Sequence, residues 1–282
     1  MLAAGLALTA VLAGAAAAHG ARAVEVTAGG SHACALKPNG KVRCWGYDFQ
    51  GQASSPGGRF EAVSAGQFHT CGVRRNGRAR CWGDDVHGQA AAPRVKLRSA
   101  SAGSFHGCGL KLNRTARCWG RDDAGQGIAL GGRFAALSAG AYHACGLRPG
   151  GRARCWGDDF YGQASPPGGR FDSLSAGYNH ACGVRPNGRV RCWGLDDDGQ
   201  TSSIGGRFAS VSGGQYHSCG VRPNGKVRCW GADDHGQGSP PPARFNSVSA
   251  GGDFTCGVRR NGKVACWGRE TVGQTIVPPA LE

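Results

Sequence analysis

The chain has 282 residues, including 51 glycines and 14 cysteines, and a formal net charge of +15. Hydrophobic residues make up 40% of it and charged residues 18%, a balance that excludes an intrinsically disordered chain. Abundant glycine without any stretch of 3.6-residue periodicity excludes a helical protein and favours short strands joined by many turns. The net positive charge indicates attraction to anionic partners and carries no information about the fold.

The first 23 residues, MLAAGLALTAVLAGAAAAHGARA, form an apolar, alanine-rich segment. It ends in Ala21-Arg22-Ala23, a small-x-small pattern that signal peptidases accept, so we predict a cleaved secretory signal over 1–23. An alanine-rich tail is the alternative, because no Lys or Arg precedes the apolar run. No other apolar run approaches the length of a membrane span, so we expect no transmembrane segment.

The cysteines divide the rest of the chain into seven units of 37 residues, covering 24–282. Each unit has two cysteines ten residues apart: Cys34/Cys44, Cys71/Cys81, Cys108/Cys118, Cys145/Cys155, Cys182/Cys192, Cys219/Cys229 and Cys256/Cys266. Such a strict internal period predicts a repeat architecture in which each unit is one supersecondary element.

The fifth unit shows the strands that one repeat contains. Residues 170–177, 180–185 and 189–194 each predict a short strand, and the Pro-Asn-Gly turn at 186–188 predicts a three-residue hairpin loop. A weaker fourth strand is expected within 199–206. Seven such units predict an all-β, seven-bladed β-propeller as one domain over 24–282, with a β-solenoid as the alternative. Residues 24–29 align with the first strand of the other units, so we expect this N-terminal strand to pair into the last blade and close the ring.

The predicted hairpin register places the two cysteines of a unit opposite each other. In the fifth unit Cys182 faces Cys192 at a non-hydrogen-bonded pair, where Cα atoms lie about 4.5 Å apart. The spacing never changes, so we predict seven disulfides, one in each hairpin. A buried reduced pair is one alternative, and metal binding is another, although the spacing is not the C-x2-4-C of zinc sites.

Four further residue types recur at fixed positions. A histidine precedes the first cysteine by two residues in six units, where we expect a structural hydrogen bond rather than a metal site. A tryptophan follows every second cysteine and predicts packing between blades. A Gly-Gln pair predicts a side-chain amide that ties a loop to the next blade. The acidic residue three positions after each tryptophan predicts capping of its own turn, with calcium binding as the alternative.

The repeat SAGxxHxCGVRPNGRVRCWGxDxxGQ resembles the regulator-of-chromosome-condensation repeat. It is similar to secreted members of the superfamily shared with the beta-lactamase inhibitory protein II, and the paired cysteines also resemble plant Crinkly-type receptor ectodomains. The resemblance covers 24–282 and implies a seven-bladed propeller with a non-catalytic binding role. No catalytic triad or phosphate loop stands out in the sequence, so we expect no enzyme, no cofactor and no metal.

The chain path predicts two faces of opposite charge. Of the 18 acidic residues, 14 fall in the loops after SAG and after Trp-Gly, whereas 16 Lys or Arg lie around the hairpin turns. The acidic loops also carry aromatic side chains at variable positions, and these are the candidate partner-binding residues. They are Phe49, Phe68, Phe105, Tyr142, Phe160, Tyr161, Tyr178 and Tyr216.

We expect Tyr142, Phe160, Tyr161 and Tyr178, which belong to neighbouring units, to form one patch; the alternative is that the rings plug the centre of the propeller. The leading interpretation is a secreted, monomeric, non-catalytic propeller that binds a protein partner, as an inhibitor or a recognition module, and binds no nucleic acid. The alternative is an envelope-associated or structural protein that binds an anionic polymer through its basic turns.

Overall fold

The computed structural model describes residues 25–282, so the predicted signal segment lies outside the described residues. This part of the chain forms 21 β-strands and one short 3-10 helix, Pro279–Leu281. Every three consecutive strands form one antiparallel sheet, which gives seven sheets. We call them blades 1 to 7, and they confirm the predicted seven-bladed architecture.

The strands of the blades occupy equivalent positions in the repeat. The first strands are β1 Glu25–Ala28, β4 Phe60–Ala65, β7 Leu97–Ala102, β10 Ala136–Ala139, β13 Ser173–Ala176, β16 Ser210–Gly213 and β19 Phe245–Ala250. The second strands are β2 His32–Leu36, β5 His69–Arg74, β8 His106–Lys111, β11 His143–Leu147, β14 His180–Val184, β17 His217–Val221 and β20 Phe254–Arg259. The third strands are β3 Val42–Gly46, β6 Ala79–Gly83, β9 Ala116–Gly120, β12 Ala153–Gly157, β15 Val190–Gly194, β18 Val227–Gly231 and β21 Val264–Gly268.

The hairpin between the second and third strands has the predicted register. In blade 5, Val184 pairs with Val190 and Cys182 with Cys192. Gly188 ends the turn at φ 79°, a left-handed conformation that suits glycine. Blade 3 has Arg114 at this position, and it is the one non-glycine residue of 25–282 with a positive φ, 67°.

All seven predicted disulfides are present, and each joins the second strand to the third strand of one blade. The pairs are Cys34–Cys44, Cys71–Cys81, Cys108–Cys118, Cys145–Cys155, Cys182–Cys192, Cys219–Cys229 and Cys256–Cys266. In every pair the two Cα atoms lie 4.0 Å apart, closer than the expected spacing of about 4.5 Å for facing residues. No cysteine within 25–282 is free.

The predicted fourth strand is wrong, because 199–206 contains no strand. The Thr201 amide donates to Asp196 Oδ1 and the Ser202 amide donates to the Gly199 carbonyl. These main-chain donors bind within their own loop and do not pair with the third strand. Isolated bridges in blades 2 and 3, Arg78 with Lys96 and Thr115 with Arg133, are the nearest approach to a fourth strand in the described chain.

The missing fourth strand makes the two cysteines of a disulfide unequal, although the sequence pattern treats them alike. The cysteines of the second strands lie in the middle of their sheets and are buried, whereas the third strands form the sheet edges. On the third strands Cys118 and Cys192 are buried. The others on these edge strands are only partly buried: Cys44, Cys81, Cys155, Cys229 and Cys266. Each disulfide therefore joins the interior of a blade to its edge.

The described residues also bear on the membrane prediction. No helix within 25–282 is long and apolar enough to cross a membrane.

Tryptophan packs between neighbouring blades, as predicted. Trp82 of blade 2 lies in a buried cluster with Leu36 of blade 1 and with Phe60, whose ring centroid is 5.8 Å away. Its indole Nε1 donates to the main-chain carbonyl of Gln52 in blade 1 at 2.9 Å. The equivalent bond occurs at all seven blade boundaries, including Trp45 to Gln274, which joins blade 1 to blade 7.

Two rings of hydrogen bonds join the first strands at the centre of the molecule. In one ring, the amide after each SAG glycine donates to a carbonyl of the next blade, from Gly30 to Gly66 and so on to Gly252 to Gly29. In the other, a hydroxyl of each first strand accepts from the following blade, as Ser249 Oγ does from the Ala28 amide at 2.9 Å. Both rings run unbroken through all seven blades, so the propeller is closed.

Closure differs in one respect from the sequence prediction. The N-terminal strand β1 pairs with β2 of its own blade and does not enter the sheet of blade 7. It meets blade 7 through the two rings, while Val277 and Leu281 fill the buried cluster around Trp45 and Phe254. The physical reason is that the repeat begins with the first strand of a blade, so a blade boundary and a repeat boundary coincide.

Candidate functional site

The SAG turn and the Trp-Gly loop of each blade lie side by side. In blade 2 the Asp84 amide donates to the Phe68 carbonyl at 3.0 Å, and every other blade has the equivalent bond. We call these fourteen loops the loop face, and the seven hairpin turns at the opposite end of the strands the hairpin face. The predicted division of the loops into two faces is confirmed.

Each Trp-Gly loop is held by its own acidic residue. Asp159 Oδ1 accepts from the Ala164 amide at 2.7 Å, and Asp159 Oδ2 accepts from Ser165 Oγ at 2.6 Å. The same capping occurs in all seven loops, with Glu270 in the last. The prediction that these carboxylates cap their own turns is confirmed.

The buried glutamine of each loop acts differently from the prediction. Gln163 Oε1 accepts from the Tyr161 amide at 2.8 Å, and its Nε2 donates to Asp158 Oδ2 at 2.7 Å, so the side chain closes its own loop. The bond to the next blade is made by the Gln163 main-chain carbonyl, which accepts from Trp193 Nε1 at 3.0 Å. The prediction that the glutamine side chain binds the next blade is therefore wrong, because the nearest donors for its buried amide oxygen are the main-chain amides of its own turn.

Six buried histidines lie directly behind the SAG turns. His180 Nε2 is 2.8 Å from Ser218 Oγ of the next blade, and that hydroxyl donates to the Gln200 carbonyl at 3.0 Å. The hydroxyl proton is thus committed, so the imidazole donates from Nε2. Burial lowers the pKa of His180 to about 3, which keeps the ring neutral. His32 with Thr70 and His217 with Thr255 repeat this arrangement.

The predicted histidine hydrogen bond is absent in blades 2, 3 and 4. Within 25–282 no side-chain hydroxyl group binds Nε2 of His69, His106 or His143, because the next blade offers glycine or alanine where Ser218 would stand. The facing residues are Gly107, Ala144 and Ala181. The described residues contain no group of three or more side chains that could hold a metal ion.

Four aromatic rings form a continuous row on the loop face across blades 2 to 5. The centroids of Phe68 and Phe105 are 5.8 Å apart, those of Phe105 and Tyr142 5.4 Å, and those of Tyr142 and Tyr178 6.2 Å. All four are half-buried, and Tyr216, at the same turn of blade 6, is exposed. We call Phe68, Phe105, Tyr142 and Tyr178 the aromatic arc.

The other three candidate residues lie on the Trp-Gly loops. Phe49 and Phe160 have 85% and 81% of their surface exposed, and Phe160 contacts Tyr161 with centroids 4.9 Å apart. Of the four residues predicted to form one patch, Phe160 contacts Tyr161 and Tyr142 contacts Tyr178, but no ring contact within the described chain joins the two pairs, so a single patch is not observed.

The sequence reasoning missed two features of this face. Arg121 lies over two rings of the arc, 5.5 Å from the Phe105 centroid and 5.3 Å from that of Tyr142, and its Nε donates to Asp123 Oδ2 at 2.7 Å. A basic residue in a loop set with 14 acidic residues and only one other basic residue, Arg269, was the available signal. The second feature is a central cavity of about 80 Å³, lined by the SAG turns of all seven blades and by Tyr178.

Comparisons with known proteins agree with this architecture. The model of the regulator of chromosome condensation (RCC1) repeat matches residues 23–52, 60–89, 98–126, 134–163, 171–200, 208–237 and 245–274. No match was found among curated proteins.

Among solved structures, the CRINKLY WD40 ectodomain of the receptor kinase ACR4 from Arabidopsis thaliana is 27% identical, with a TM-score of 0.77, over 91% of this chain and 98% of that one. The entire ectodomain of the receptor kinase CR4 from Physcomitrella patens is 28% identical, with a TM-score of 0.74, over 86% and 72%. Prp20p from Saccharomyces cerevisiae shares the fold at 16% identity and a TM-score of 0.53, over 90% and 74%.

Proposed function

The chain belongs to the regulator of chromosome condensation (RCC1) repeat family, and from this premise we propose that it is a secreted, non-catalytic propeller that binds a protein partner through its loop face. The aromatic arc is the observation that carries the proposal. Four rings from four blades are held in contact on loops whose main chain is fixed by capping carboxylates and buried glutamines. Aromatic side chains on rigid loops dominate the energetics of protein interfaces.

Secretion is supported by the disulfides. Seven bridges form in one chain, and disulfides persist in oxidising, extracytoplasmic environments. Two solved structures that this chain resembles are receptor-kinase ectodomains, that is, the extracellular parts of those proteins. A non-catalytic role is supported by the six histidines that precede the first cysteines, because they are buried behind the SAG turns and burial lowers their pKa.

An anionic polymer on the hairpin face is the second candidate. One observation favours it: both ion pairs found within 25–282, Arg121 with Asp123 and Arg269 with Asp253, lie on the loop face, so no cation of the hairpin face is neutralised by a carboxylate there. Some of these arginines already have a structural contact, since Arg148 covers the ring of Phe134 at 4.0 Å. Retention on an anionic matrix that is lost with salt, and is unchanged by loop-face variants, would identify this function.

The proposal is tested with the immobilised chain and the secreted proteins of its source. A partner that is captured, purified and measured in solution should lose about tenfold or more in affinity with Tyr161→Ala and Tyr178→Ala, while stability changes by less than about 1 kcal/mol. Leu112→Ala is the matched control, because Leu112 is 58% exposed on the hairpin face. Equal affinity of the tyrosine variants and the control would place the binding site elsewhere.

A further inference from the structure

We infer that the partner segment that docks on the aromatic arc is cationic and presents arginine or lysine side chains to the rings of the arc and to the neighbouring Tyr216. This inference rests on the proposed function and specifies the chemistry of its ligand. The arc, the charge that surrounds it and an internal guanidinium that already lies on it carry the inference together.

The loop face has a large excess of negative charge around the arc. It holds 14 acidic residues and two basic ones, Arg121 and Arg269. Both basic side chains are paired, with Asp123 and Asp253 respectively. A cationic segment would therefore meet complementary charge over the whole face, whereas an acidic segment would be repelled.

Arg121 shows how a guanidinium fits on the arc. It lies within 5.5 Å of the ring centroids of Phe105 and Tyr142, and a carboxylate of its own loop fixes its position. The rings therefore form a cation–π surface in which one position is occupied by the chain itself. This arrangement of two rings and a nearby carboxylate is the environment that a partner's arginine would need.

The same surface continues beyond Arg121 without an internal cation. Among the described residues no arginine or lysine lies over Tyr178 or Tyr216. The carboxylates that cap their loops are committed to main-chain amides, whereas three others in blades 5 and 6 accept no hydrogen bond from the described residues: Asp197, Asp198 and Asp234. Blades 5 and 6 of the loop face thus carry both rings and carboxylates, and no arginine or lysine of the described residues lies over those rings.

Synthetic peptides of defined charge test the inference. The probes are fluorescein-labelled ten-residue peptides of alternating glycine with arginine, lysine or citrulline, of which citrulline keeps the shape of arginine without its charge. Anisotropy at low salt should show binding of the arginine peptide, at least about tenfold weaker binding of the citrulline peptide, and loss of affinity with rising salt. A neutral oligosaccharide, cellohexaose, serves as competitor.

Variants locate the binding on this face. Tyr178→Leu with Tyr216→Leu keeps apolar side chains and removes the rings, so it should weaken the arginine peptide by about fivefold or more. Asp197→Asn, Asp198→Asn and Asp234→Asn together should weaken it by about threefold or more at low salt, with less effect at high salt. Leu112→Ala on the hairpin face should leave the affinity unchanged.

The outcomes separate this inference from the proposed function. Equal binding of the arginine and citrulline peptides, insensitivity to the tyrosine pair, or displacement by cellohexaose would overturn the inference. If the arginine peptide fails to bind while a captured partner still depends on Tyr178, the inference is wrong and the proposed function stands. If the arginine peptide binds as expected and the captured partner ignores Tyr178, the chemistry of the arc is upheld and the proposed function is wrong.

Discussion

Removing a hydroxyl group at one blade boundary should destabilise the propeller, and adding a hydroxyl group at the equivalent position of another boundary should stabilise it. Ser218 accepts a hydrogen bond from His180 and donates one to the Gln200 carbonyl, whereas Ala181 stands at the equivalent position opposite His143 and offers neither. Ser218→Ala therefore removes the partner of the buried His180 Nε2, and Ala181→Ser supplies a partner to the buried His143 Nε2.

The magnitude follows from the groups left unpaired. A net hydrogen bond is worth about 0.5–1.5 kcal/mol, and a buried donor left without a partner costs about 1–3 kcal/mol. Ser218→Ala should thus lower the free energy of unfolding by about 2–3 kcal/mol. Ala181→Ser should raise it by about 1 kcal/mol after the crowding of an added oxygen at a fully buried position is allowed for.

Equilibrium unfolding in guanidinium chloride, with the disulfides intact, measures both changes. Thermal unfolding should shift by about 2–4 °C per kcal/mol for a chain of this size. Ala33→Ser is the matched control, because Ala33 faces blade 7, where Phe254 replaces the histidine. The reasoning is refuted if Ala181→Ser stabilises no more than Ala33→Ser, or if Ser218→Ala leaves stability unchanged.

Three other perturbations have defined outcomes. Replacing Cys145 and Cys155 together by alanine should lower the free energy of unfolding in denaturant by at most about 3 kcal/mol. A chain that no longer folds would contradict the view that each disulfide stabilises only its own hairpin. Burial lowers the pKa of His143 from 6.5 to about 3, so the unfolded chain binds the proton first and stability falls as the pH drops from about 6.5 toward 3. His143→Phe, which copies blade 7, should remove about 1.4 kcal/mol per pH unit of that fall, and an unchanged acid unfolding curve would contradict it. Leu281→Ala should cost about 2–5 kcal/mol by opening the cluster that joins blades 1 and 7, and calorimetry without a loss of Tm would show that closure does not depend on it.

The parts of the structure that follow from local rules could be predicted from the sequence. The Pro-Asn-Gly turn sets the hairpin register, and the register alone brings Cys182 opposite Cys192. The capping by Asp159 also follows, because an aspartate in a turn reaches the amides of its own loop. These features depend only on residues close in sequence, and the exact 37-residue period carries them to all seven blades.

The parts that depend on contacts between blades could not be predicted in this way. The sequence does not show whether the side chain or the main-chain carbonyl of Gln163 reaches the next blade. In the structure the side chain binds its own loop and the carbonyl binds Trp193 across the packed boundary. The position of Arg121 over Phe105 and Tyr142 depends on the spacing of neighbouring blades, which no single repeat contains. The missing partners of three histidines likewise become visible only when each blade is compared with the next.

The gap in the row of rings gives the molecule an orientation that its repeats lack. Seven nearly identical blades would offer an approaching molecule seven equivalent rotational settings about the central axis. At the turns of blades 7 and 1, Asp253 and Ser31 stand where Phe68 and Phe105 stand in blades 2 and 3. A molecule that contacts the SAG turns therefore meets rings at blades 2 to 6 and a small or a charged side chain at blades 1 and 7. Only one of the seven settings matches this pattern, so under the proposed function a nearly symmetric scaffold would bind a partner in a single orientation.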